Sequence, residues 1–93
     1  MQDHLAGKEM EIGRYYERSG KWIAAQIKFQ NVVENFQTTS HAPEALFRLV
    51  ETSLSLGIPA EAKKYAAVLG ANYPGSEWYD RAYKLMQKNA PTA

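Results

Sequence analysis

Gly20 recurs as Gly57, and the same step of 37 residues lays Ala25 on Ala62, Phe36 on Tyr73 and Ala45 on Ala82. It also sets Leu46 against Tyr83 and Leu49 against Met86. A chain that matches itself at a fixed period is built from copies of one supersecondary unit, each burying its apolar face on the next. Two such units and part of a third fill the 93 residues, so the expectation is one domain, 1–93, with no room for a second.

The unit is helical. Trp22, Ala25, Phe29, Val32, Val33 and Phe36 recur at steps of three and four, which places them on one helix face. Leu46, Leu49, Val50 and Ser53 repeat the pattern, as do Ala62, Tyr65, Ala66 and Leu69, then Tyr79, Ala82, Tyr83 and Met86. Leu5, Ile12 and Tyr16 form the stripe expected of the first segment. No segment alternates with period two. The pattern and its punctuation predict five helices at roughly 3–19, 21–36, 41–56, 59–72 and 76–88. They form one hairpin over about 3–36, a second over about 41–72 and a capping helix over about 76–88. Gly20 and Gly57 stand where each hairpin reverses, a place for the positive φ that glycine adopts without strain. Pro59 suits the first turn of the fourth helix, Thr39 or Ser40 the cap of the third, and Ser76 the cap of the fifth. The tail from Asn89 to Ala93 is expected to fray.

Helix pairs with glycine at the turn and small residues at fixed places resemble the tetratricopeptide repeat. Ile12, Gly13, Tyr16, Gly20, Trp22, Ala25 and Phe29 match its pattern in the first unit, and Leu46, Leu49, Gly57, Ala62 and Pro74 in the second. Glu9, Val50 and Ala66 depart from it. The period exceeds the usual repeat of about 34 by three residues, which assigns Gln37 to Ala42 to a longer loop. The wording from Leu5 to Ala25, from Ala62 to Gly70 and from Asn72 to Trp78 is similar to the C-terminal repeats of the BamD (ComL) family. That resemblance implies a lipid-anchored component of the outer-membrane β-barrel assembly machinery, docked on the periplasmic POTRA region of BamA and in company with the other subunits. The chain then reads as an excised C-terminal fragment behind an added Met1. Its membrane link would be only an N-terminal lipid anchor that this chain lacks.

Chemistry is sparse. There is no Cys, and two His with scattered carboxylates supply neither a nucleophile with its base nor a converging metal set, so no enzyme, cofactor or metal is expected. Ser40 beside His41 is better read as a helix cap than as a nucleophile. Lys and Arg number eleven against ten Asp and Glu, too balanced for nucleic acid or an anionic membrane. The eleven aromatics fall mainly at packing positions rather than on a base-stacking platform. Phe47 and Trp78 lie off their stripes, placed to cover a seam or meet a partner.

Two surfaces remain as binding candidates. Laying the repeat's concave positions on the chain selects Met10, Arg14, Glu17 and Arg18, then Phe47, Glu51 and Leu54, then Lys84 and Lys88 as groove residues. The basic cluster that clamps a carboxylate terminus in chaperone-binding relatives is missing there. Charge selects the other: residues 14–28 carry Arg14, Arg18, Lys21 and Lys28 against Glu17, while residues 34–61 carry four Glu against Arg48. Arg18, Lys21 and Lys28 are therefore the expected partner-binding set, with Lys28 expected to be free of other partners. The reading is an all-α scaffold that binds protein, the competing one a periplasmic receptor that grips an extended peptide in the groove.

Overall fold

The computed structural model describes residues 2–89 and is all-α, with five helices: α1 (Gln2–Arg18), α2 (Trp22–Asn35), α3 (Ala42–Ser55), α4 (Pro59–Asn72) and α5 (Glu77–Lys88). Each boundary lies within two residues of its expected place. α1 packs on α2 and α3 on α4 as hairpins, α2 joins them by packing on α3, and α5 rests on α3 and α4. The expected fraying of the tail beyond Asn89 falls outside the described residues. No helix among them is long and apolar enough to cross a membrane.

Both hairpin turns use a glycine at φ 76°, and Pro59 opens α4. Ser76 caps α5, its hydroxyl accepting from Trp78 N at 3.0 Å. The cap expected of Thr39 or Ser40 is not made. α3 begins after His41 without a side-chain cap. Thr39 Oγ1 instead donates to Phe36 O at 2.7 Å, and Ser40 turns its N–H and hydroxyl to Asp3 Oδ1, tying the long loop to the start of α1.

The core runs as two clusters, one through Ala6, Met10, Ala25, Phe29, Val32, Ala45 and Leu49, the other through Leu46, Phe47, Val50, Ala62, Leu69 and Ala82. The stripe expected of α1 is displaced by one residue. Ala6, Met10 and Gly13 face inward, while Leu5 and Ile12 are exposed. The cause is steric: a Cβ at Gly13 would stand 2.6 Å from Phe29 Cε1, so α1 turns its smallest residues to α2. The same approach recurs at Gly70, whose missing Cβ leaves room for the Tyr79 ring. Tyr83, expected in the core, is exposed, and Trp22 is only half-buried.

Candidate interaction surfaces

The concave side is a groove of about 560 Å³ between α1, the start of α2, α3 and the end of α5. Arg14, Glu17, Arg18, Glu51 and Leu54 line it as expected, joined by Trp22, Arg48, Ser55, Leu85 and Asn89. Met10 and Phe47 do not. Both are buried in the core, Met10 beneath α2 and Phe47 against Trp78, with ring centroids 5.5 Å apart. Lys84, like Lys88, is exposed outside the groove. Met10, Phe47 and Lys84 share one repeat offset, which faces a neighbouring helix in α1 and α3 and leaves Lys84 of α5 outside the groove. The groove is lined instead from the positions of Arg14 and Glu51, of Glu17 and Leu54, and of Arg48 and Leu85.

Ion pairs knit the groove floor. Arg14 Nη1 lies 3.2 Å from both oxygens of Glu44, which also takes Arg48 Nε at 3.2 Å, while Arg48 Nη1 reaches Glu51 Oε1 at 2.8 Å. Arg14 of the basic first hairpin is thus paired with Glu44 of the acidic segment, and Arg48 is paired within that segment. Burial pushes the Glu17 carboxyl up to about 8, and neighbouring Glu51 adds to the effect. Arg48 also stacks over the Phe47 and Trp78 rings, with Arg81 over the same pair, which makes the off-stripe aromatics a seam between hairpin and α5.

The second surface is the outer face of α2. Ile23 and Ile27, one turn apart, stand out from it, 65% and 59% exposed, while Lys28 points from the flank of the helix toward α1 and Lys21 precedes the first turn. Arg18 parts from them and lines the groove. Lys28 is not free, since its Nζ stands 3.3 Å from Glu9 Oε2, an ion pair by distance whose angle falls short of a hydrogen bond. The two isoleucines are absent from the expected set because the apolar stripe of Trp22 to Phe36 already accounts for a buried face. Their spacing of four on the opposite face was the available signal.

Asp3, Ser40 and His41 also meet, the His41 Nε2 lying 3.6 Å from Asp3 Oδ2. The carboxylate sits between the other two and accepts the hydrogen bond of the hydroxyl, which holds the Asp3 carboxyl below its usual range and keeps Ser40 from hydrogen bonding to His41 as a base. Among the described residues no three His, Asp or Glu side chains converge to hold a metal.

Comparison with known proteins gives a consistent result. Residues 1–69 match the family profile described as YfiO, outer membrane lipoprotein. The chain is 55% identical over 89 residues to the outer membrane protein assembly factor BamD of Caulobacter vibrioides, covering 96% of this chain and 29% of that protein. It is 54% identical over 87 residues to BamD of Rickettsia prowazekii, covering 94% of this chain and 35% of that one. The corresponding protein of Neisseria meningitidis serogroup A is 34% identical over 82 residues, covering 88% of this chain and 31% of its own length. The chain therefore spans about a third of the relatives it matches. No solved structure gives a significant match.

Proposed function

Because the chain belongs to the YfiO outer membrane lipoprotein family, we propose that it acts as a non-catalytic docking scaffold in outer-membrane protein assembly, seating its partner on the outer face of α2. The partner is the one the family resemblance implies, the periplasmic POTRA region of a BamA-like protein. The setting is the periplasmic face of the outer membrane. The observation that carries the reading is the pair Ile23 and Ile27, exposed one turn apart on α2. Apolar side chains left exposed together are what anchors a protein interface, with charge at its rim giving register.

The concave groove supports the second reading, a receptor for an extended peptide, because Trp22, Leu54 and Leu85 line it beside charged side chains. One calorimetric experiment separates the two. Ile23→Glu with Ile27→Glu touches no buried contact and weakens binding of the isolated POTRA region by at least about tenfold if α2 docks it. Leu54→Ala serves as the groove variant in place of Phe47, whose loss would unpack the core. Unchanged affinity for the isoleucine pair together with lost affinity for Leu54→Ala would establish the groove instead.

A further inference from the structure

The internal repeat gives each seam of the second hairpin a counterpart in the first, and one of them differs. The seam between α2 and α3 is roofed by α4: Leu46 is 2% exposed and shares a cluster with Ala62 and Leu69 of α4. Gln30 of α2 also donates to the Tyr65 hydroxyl of α4 at 3.0 Å. One period later the seam lies between α4 and α5, where Ala67 stands for Gln30, Tyr83 for Leu46 and Met86 for Leu49. No helix covers it among the described residues. Tyr83 is 54% exposed, and a cleft of about 590 Å³ opens between the helices, walled by Ala66, Ala67, Tyr79, Tyr83 and Met86.

We propose that this cleft seats an amphipathic helix of a partner polypeptide, laid across α4 and α5 as α4 is laid across α2 and α3. The repeat supplies the geometry of the occupant, and charge supplies its chemistry. Lys63 lines the cleft, is exposed, and makes no ion pair among the described residues. It is the counterpart of Gln26. Tyr65 lies beside Gln30, so Glu61, one turn earlier on α4, falls at the level of Gln26. A helix seated the same way one period on therefore sets its acidic residue opposite Lys63. Behind that residue it presents small and large apolar side chains in the order of Ala62, Tyr65, Ala66 and Leu69. A second copy of this chain is the poorer occupant. The stripe of its α4, the helix whose geometry fits the seat, is already buried against its own α3.

The probe is the synthetic peptide of residues 59–72, the helix that roofs the first seam, titrated into the isotope-labelled 93-residue chain while amide resonances are followed. The expected shifts gather at Lys63, Ala66, Ala67, Tyr83 and Met86. Tyr83→Glu, at an exposed position that leaves the core intact, weakens binding by about tenfold, the effect of one charge set into an apolar helix seat. Lys63→Glu weakens it by roughly threefold to tenfold at low salt, and a peptide carrying Glu61→Lys restores the loss, as opposite charges exchanged across a contact must. Shifts confined to Arg14, Glu17 and Glu51, or no shifts, would overturn the proposal. So would a chain that is dimeric until Tyr83→Glu separates it, which makes a second copy the occupant. The proposal also fails if the peptide binds only after residues 90–93 are removed, since the chain's own tail would then hold the seat.

Discussion

Replacing Gly13 by alanine sets two effects of known size against each other at one position. In a helix interior alanine is favoured over glycine by about 1 kcal/mol. The new methyl, however, would lie 2.6 Å from Phe29 Cε1 and 3.0 Å from Cδ1 and Cζ. Phe29 is completely buried among Ala6, Met10, Ala25 and Leu49, so its ring has nowhere to go without moving a neighbour. Overpacking of this kind costs about 1 to 3 kcal/mol. The net expectation is a loss of about 1 kcal/mol, seen as a fall in melting temperature of about 4–8 °C for a chain of this size. Gly70→Ala is the matched control. Its methyl would approach Tyr79 Cε1 at the same 2.6 Å, but Tyr79 is half-buried at the edge of the open α4/α5 cleft and can tilt aside. There the helix gain survives, and the melting temperature holds or rises. Thermal melts followed by far-ultraviolet circular dichroism decide the matter. If Gly13→Ala raised the melting temperature as much as Gly70→Ala, Phe29 would not be the fixed wall described above.

Ala62 is completely buried, so Ala62→Leu is expected to lose about 1 to 3 kcal/mol, whereas Lys63→Leu on the neighbouring exposed position changes stability by under about 0.5 kcal/mol in the same melts. The Glu17 carboxyl is held at about 8 by burial and by Glu51, above its ordinary 4.5, so the folded state keeps a proton that the unfolded state releases. That contribution is complete below pH 4.5 and is lost as the pH climbs through about 8. Glu17→Gln is therefore expected to flatten the decline and to melt higher than the parent chain at about pH 9, and parallel pH profiles for the two would disprove the assignment.

The helices were legible because their signals are local. Gly20 and Gly57 mark the turns by what only glycine does easily, and the stripe from Trp22 to Phe36 states its period without knowledge of the neighbour. What faces what was less legible, because that is decided between helices. Leu5 and Ile12 looked like the buried stripe of α1 on hydropathy alone, but the ring of Phe29 admits only a residue without a side chain at Gly13, and this turns the helix by one position. Met10 and Phe47 were assigned to the groove from a consensus whose register they do not share. Lys28 appeared free because Glu9, which pairs with it, sits on another helix. The approach of Tyr79 to Gly70 left no trace in the repeat, since Val33 occupies the position one period earlier.

α3 carries eight buried residues, from Ala42 to Ser53, and touches α2, α4 and α5. Its amides are therefore expected to exchange with solvent only when the whole chain opens, and those of α1 and α5, which pack on fewer helices, through smaller local openings. A protein arranged in this way has its least yielding element in the middle and its contact surfaces at the ends. A ligand that stiffened the first hairpin would, on this arrangement, lower the entropy still to be lost when a second ligand ordered α5, a coupling that hydrogen exchange of α5 with and without the first ligand would reveal.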